Sequence, residues 1–281
     1  MRTPFSRRAL TLLRLAVRAL PALTLAGCAS VRPAAVRTAP PVMRTASMYG
    51  LLSRIAPGGA AIRTLKASFS VSFTGPGKSV SRSVSGMLAM ERPGRLRMKG
   101  SAAMLPTLFD LLWKDGQTTL YVPLDRAVYR STVGAVSARR GLADATFLTG
   151  VFLGSAEKDG LLHFLETEPS RYLVSSVETT GGLASLARRV VFDRADLSPV
   201  RYEYFDREGR LAREVRCAGF AAAEGASALL PCEVVIEAPE EDARLDLRLS
   251  DLRVNAPLAV GMFTIKTPPG TAVRQIEECT Q

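Results

Sequence analysis

Cys28 is the residue of this 281-residue chain best placed for chemistry, a thiol preceded by two small residues, Ala26 and Gly27. Upstream lie a basic start (Arg2, Arg7, Arg8) and a short apolar segment from Ala19 to Ala26. This is the anatomy of a signal peptide, ended by a cysteine rather than by an ordinary small-residue cleavage site. A thiolate is a nucleophile, so Cys28 is the candidate for covalent modification. The other reactive types fall short of a catalytic set. His163 is the only histidine, which excludes histidine-based triads and multi-histidine metal sites. Gly77-Lys78-Ser79 copies the end of a phosphate-binding loop, but Ser72 occupies the place of its first glycine and a hairpin turn surrounds it. Ser155-Ala156-Glu157-Lys158 matches a Ser-x-x-Lys nucleophile without the companion Ser-Asp-Asn and Lys-Thr-Gly motifs. Glu240-Glu241 falls in a turn and reads as solvated. The chain is therefore read as a non-enzyme without metal or cofactor.

Leu25-Ala26-Gly27-Cys28 resembles the lipobox of bacterial lipoproteins. The resemblance implies a diacylglycerol on Cys28, cleavage before it and acylation of the new N-terminus. More than one acyl chain gives stable anchoring, where a single chain is marginal. Arg14 and Arg18 shorten the apolar run, and Ser6-Arg7-Arg8-Ala9-Leu10 looks like a twin-arginine signal, so the export route stays open.

Loss of residues 1–27 removes five arginines and lowers the formal charge from +11 to +6. Arg32, Arg37 and Arg44 carry half of that remainder, so the folded part is only mildly basic. The pairs Arg139-Arg140 and Arg188-Arg189 are too isolated for a nucleic-acid footprint and read as solvated faces. Residues 28–46, with Pro33, Pro40 and Pro41 and no periodicity, read as a lipidated cysteine and disordered tether. Residues 47–281 are expected to form one domain, since all-β domains of that size are often single.

Ser47 caps a short helix in which Met48, Leu51, Leu52 and Ile55 recur at helical spacing. The period then becomes two. Leu65, Ala67, Phe69, Val71 and Phe73 alternate with polar residues, and Val80, Val84, Gly86, Leu88 and Met90 do the same on the next strand. Directly opposed residues share a face, so these strands pair with odd number sums, such as Phe69 with Val84. Arg95 to Lys99 begins a third strand. Residues 101–113 interrupt the meander with an almost uncharged run. Strands resume at 118–122, 126–130, 161–167, 172–177 and 188–193, with a helix over 144–153. Closing the Asp206–Gly209 turn opposes Tyr204 to Leu211, Val200 to Val215 and Arg201 to Glu214. A parity change near Ser250-Asp251 predicts a bulge. About ten antiparallel strands with two or three short helices indicate a mainly β (α+β) fold: a strongly curved antiparallel sheet forming a half-open β-barrel. If the hairpin after Cys217 closes with sums of 449, Cys217 faces Cys232 and a disulfide can form. Two separate buried thiols are the alternative.

The order Cys28, linker, helix and Leu65-Lys66-Ala67-Ser68-Phe69 is similar to the LolA/LolB-like outer-membrane lipoprotein carriers and receptors. So are Arg95-Leu96-Arg97-Met98-Lys99 leading through Leu108-Phe109-Asp110 to Leu120-Tyr121-Val122-Pro123, and Val191-Phe192-Asp193 through Leu197-Ser198-Pro199-Val200-Arg201 to Asp206-Arg207-Glu208-Gly209. The resemblance implies a half-open barrel whose apolar interior holds acyl chains, and no cofactor. It implies a monomeric protein anchored in the outer membrane, facing the periplasm, that accepts lipoproteins from a soluble periplasmic carrier. A hydrophobic-ligand sensor or envelope scaffold of the same fold is the alternative. The candidate cavity residues are Phe69, Val71, Phe73, Arg82, Val84, Leu88, Met90, Leu96 and Met98, which line either a filled core or a ligand cavity. Arg82 has inward parity; it either snorkels at the rim or holds a lipid carbonyl or phosphate. Met104, Leu105, Leu108, Phe109, Leu112 and Trp113 are too many large apolar groups for a solvated loop. They are expected to form a lid, a bilayer-inserting loop or part of the core.

Overall fold

The computed structural model describes residues 42–55, 62–75, 83–102, 105–131, 148, 150–152, 160–224 and 229–275. Cys28 and the whole of residues 1–41 lie outside that set, as do Arg82, Met104, Asp144, Phe147 and Cys279.

Helix α1 (Met48–Ile55) begins where Ser47 caps it: the Ser47 hydroxyl accepts a hydrogen bond from the Gly50 amide at 3.1 Å. Its Leu51 and Ile55 are buried. The tether's last residues already belong to the domain. The Arg44 amide donates to the Arg194 carbonyl, and the Tyr172 hydroxyl donates to the Arg44 carbonyl.

The sheet has fourteen strands among the described residues. The first meander comprises β1 (Thr64–Thr74), β2 (Val84–Glu91), β3 (Arg95–Ala102), β4 (Leu105–Lys114), β5 (Gln117–Val122) and β6 (Ala127–Arg130). The second comprises β7 (Leu162–Thr167), β8 (Arg171–Thr180), β9 (Leu183–Asp193), β10 (Pro199–Phe205), β11 (Leu211–Ala222), β12 (Leu229–Ala238) and β13 (Ala243–Val254). β13 pairs with β1 and joins the two halves, while β14 (Ala272–Gln275) adds to the edge beside β6. The sheet runs from β14 to β7 without closing, which makes it a half-open barrel.

Among the described residues, all pairings between these strands are antiparallel except β14 with β6. That exception follows from the chain's route: after β13, residues 255–271 cross the outer face as a strap to reach the far edge. Asn255 starts it by donating its amide to the Thr64 carbonyl. Arg97, outward on β3, donates to the Met262 carbonyl at 2.6 Å and grips Asp110 of β4 with two further hydrogen bonds.

The alternation places its apolar side inward. Leu65, Leu88, Met90, Leu96, Val190, Phe192, Val215, Val234 and Leu247 form one core with Leu51 and Ile55 of α1 and with Leu148, Val151 and Phe152. The β1–β2 register has the expected odd parity, but Phe69 faces Gly86 and Val71 faces Val84. The bulge opposite Lys66/Ser68 is present, with Asp251 at φ 53°. The β10–β11 register differs from expectation: Tyr202 faces Val215, Tyr204 faces Arg213, and Arg201 faces Arg216 rather than Glu214. Two local features displace it. The turn takes in Arg210, whose carbonyl accepts from the Asp206 amide, and a bulge separates Tyr204 from Phe205. Glu203 then opposes Glu214, an unfavourable pair that Arg189, Arg201 and Arg216 neutralise.

Candidate functional site

The candidate site is the inner face of the sheet. The expected cavity residues divide along its length. Phe69, Leu88, Met90, Leu96 and Met98 are at most 5% exposed and packed in the core that the helices cover. Val71 and Val84, half-buried, face each other further along, and Phe73 at the end of β1 is 40% exposed. The inner face is thus closed and filled at the Leu65 end and apolar but accessible at the Phe73 end.

Two aromatic rings lie flat on this face because glycines oppose them. Phe69 covers Gly86 on β2, and Phe109 covers Gly100 on β3. The two rings stack with centroids 6.4 Å apart. A Cβ at Gly100 would sit 2.4 Å from the Phe109 ring.

The expectation of a lid or inserting loop over residues 101–113 is corrected. Leu105 to Lys114 is strand β4, paired with β3 on one side and β5 on the other. Phe109 and Trp113, half-buried, pack inward against the core together with Leu111. Leu108 and Leu112 share the outer face with Asp110, where the ion pair to Arg97 and the strap give cover. With cover on both sides, the run lacks the polar alternation that marks a strand with one solvated face. Leu105 is described only as backbone.

The expected facing of Cys217 with Cys232 is also corrected. β11 and β12 pair two residues further along, so Cys217 faces Val234 and Val215 faces Ile236. Both thiols are free, Cys217 buried and Cys232 half-buried. Burial pushes the Cys217 thiol up to about 12, so it stays protonated at neutral pH.

The inner face also carries a polar row that the sequence reading passed over. Cross-strand pairing aligns His163 (β7), Ser176 (β8), Arg188 (β9), Tyr204 (β10) and Arg213 (β11), each directly opposite the next. Ser176, Arg188 and Arg213 are buried; His163 and Tyr204 are half-buried. The His163 Nδ1 and Ser176 hydroxyl are 3.1 Å apart. Burial pushes the Tyr204 phenol up, although the Arg188 and Arg213 charges pull it partly back. Tyr204 is therefore a neutral hydroxyl between two cations. Arg188 is corrected here: it lies inside, and only Arg189 of that pair faces outward, towards Glu203. The signal was parity. Arg188 shares it with Val190 and Phe192, and Arg213 shares it with Val215.

On β12 and β13 the buried Ala238 and Ala243 face each other, and Leu245 of β13 faces Phe73 of β1. Among the described residues, no three His, Cys, Asp or Glu side chains are grouped so as to hold a metal ion.

No family model and no curated protein matches this chain. Solved structures do. A LolA superfamily protein from Nitrosomonas europaea aligns over 79% of this chain and 99% of its own, with a TM-score of 0.53 and 12% identity. A DUF1329 family protein from Desulfovibrio piger aligns over 76% and 95%, with a TM-score of 0.54 and 14% identity. A Vibrio parahaemolyticus domain named for outer-membrane lipoprotein sorting aligns over 76% and 93%, with a TM-score of 0.52 and 16% identity. The chain has the LolA/LolB-like fold.

Proposed function

We propose that this chain is a lipid-anchored, periplasm-facing envelope protein that binds acyl chains or lipoproteins on its inner face and assists their transfer to the outer membrane. The observation that carries the reading is the accessible apolar end of a half-open sheet, around Val71, Phe73 and Val84, in a fold shared with lipoprotein-sorting proteins. Cys28 supplies the anchor, membrane lipid is its covalent partner, and a soluble periplasmic carrier is the expected donor of cargo. The protein acts as a monomer and uses no catalytic chemistry. Of the segment expected to meet the bilayer, Met104 alone keeps that role here, since Leu105 and the residues after it belong to a paired strand.

Three measurements test this. Cys28→Ser should release the protein from membranes; a mutant that stays tightly membrane-bound would sink the anchor. Lipid analysis of the purified released chain should find co-purifying acylated material, and its depletion in cells should mislocalise other lipoproteins. Acyl binding without any effect of depletion would favour the sensor or scaffold reading instead.

A further inference from the structure

We infer that the cavity between the strap and the outer face of β3, β4 and β5 binds a phosphate monoester. It lies on the opposite face from the acyl-binding surface and does not depend on that reading. The cavity has a volume of about 530 Å³, inside the range of roughly 300–1,000 Å³ usual for small-ligand sites. Lys99 of β3 and Lys266 of the strap both line it, with the hydroxyls of Thr107 and Tyr121. The chain has six lysines among its 37 basic residues, and two of them line this one cavity. Cross-strand pairing sets Lys99, Asp110 and Tyr121 in one row. Both Asp110 oxygens, however, are held by the Arg97 fork, at 2.8 and 2.6 Å. Lys99 therefore stands opposite a carboxylate that it does not hold, and among the described residues Lys266 has no acid partner either. Arg97 and Asp110 cancel, and the two ammonium charges are left over.

A cavity lined by an excess of one sign of charge concentrates counter-ions, and two ammonium groups that share it repel each other until an anion joins them. Guanidinium forks suit a flat carboxylate, whereas lysine acts as a point charge that approaches an oxyanion from any side. The Arg97 fork is committed to Asp110. What remains is two ammonium groups, a phenol and a hydroxyl, all of them donors, and these fit the three terminal oxygens of a phosphate monoester. The strap provides for the apolar part of the ester. Val260, in the turn closed by the Met262 amide on the Ala259 carbonyl, is fully exposed, and Met262 lines the same cavity. The Arg97 hydrogen bond to the Met262 carbonyl ties the strap to the sheet beside the cavity.

The test titrates the full-length chain carrying Cys28→Ser with three probes, phenyl phosphate, benzoate and inorganic phosphate, by calorimetry at physiological ionic strength. An amine-acylating reagent followed by mass spectrometry reports where the probe sits. Phenyl phosphate should bind more tightly than the other two. It should protect Lys99 and Lys266 from acylation and leave Lys66, exposed on β1, labelled as before. Lys99→Gln and Lys266→Gln, both at exposed positions, should each weaken binding about tenfold, the scale of one charge-assisted hydrogen bond. Tyr121→Phe should weaken it less, and Lys66→Gln, which removes the same charge elsewhere, should leave it unchanged. Benzoate binding as tightly as phenyl phosphate would overturn the assignment of a phosphate. Inorganic phosphate binding as tightly would overturn the ester, because the apolar wall would then contribute nothing. Equal losses from Lys66→Gln and Lys99→Gln, or protection of every lysine alike, would reduce the effect to diffuse surface charge and overturn the site. So would a failure of phenyl phosphate to bind.

Discussion

Gly100→Ala tests how the inner face is built. The new methyl would stand 2.4 Å from one Phe109 ring carbon and 2.8 Å from two others. Carbon atoms settle near 3.5–4.0 Å, so the ring must retreat by roughly 1 Å. It cannot do so freely, because Phe109 is stacked on Phe69, which is itself held over Gly86. Overpacking of this kind costs about 1–3 kcal/mol. Urea unfolding of wild type, Gly100→Ala, Phe109→Leu and the double mutant would measure it. In the Phe109→Leu background the alanine should cost much less, giving a coupling energy of about 1 kcal/mol or more. Gly86→Ala is the control. Its Cβ would meet the Lys99 carbonyl oxygen at 2.0 Å, a backbone atom, as well as the Phe69 ring. Phe69→Leu should therefore fail to rescue it. If the Gly100 and Phe109 changes are additive within about 0.5 kcal/mol, the ring-over-glycine account is wrong.

Three further outcomes are expected. A thiol reagent at pH 8 should label Cys232 in the folded protein and leave Cys217, buried and pushed up to about 12, until denaturant is added; early labelling of Cys217 would contradict its packing. Asp110→Asn should lower stability by about 3 kcal/mol in denaturant unfolding, because it strands the largely buried Arg97 guanidinium, and should loosen the strap at Met262, read as faster amide exchange along residues 259–264. The hydrogen bond from Arg244 holds the Asp246 carboxyl below its ordinary 3.8. A depressed carboxyl stabilises the fold above its unfolded value and loses that contribution as pH falls through the folded one. The stability gap between wild type and Asp246→Asn should thus be flat above about pH 5 and shrink below about pH 4. Its size should be at most about 1 kcal/mol for so exposed a pair; a gap that widens on acidification would reverse the assignment.

Much of this fold was legible before any coordinates. Alternation with period two reports which face of a strand is buried, so most of the strands, many of their inward apolar residues and the bulge near Asp251 could be read from residue types. The Ser47 cap and the α1 spacing are local in the same way. Absolute register was not legible. Sliding a strand by two residues keeps every side chain on its face, so the pattern cannot separate Cys217 opposite Cys232 from Cys217 opposite Val234. Nor could it show that residues 105–114 are a strand, because its apolar run reflects cover on the outer face by a strap that arrives from residues 255–271. The parallel docking of β14 on β6 is likewise a contact between segments more than a hundred residues apart.

The candidate site shows the same division. Parity alone places Arg188 and Arg213 inward, each on its own strand. Only the tertiary pairing of β7 through β11 sets them in one row with His163, Ser176 and Tyr204. Strand sequences encode which face a side chain takes; which neighbours it meets on that face depends on registers set by turns, bulges and long-range pairing.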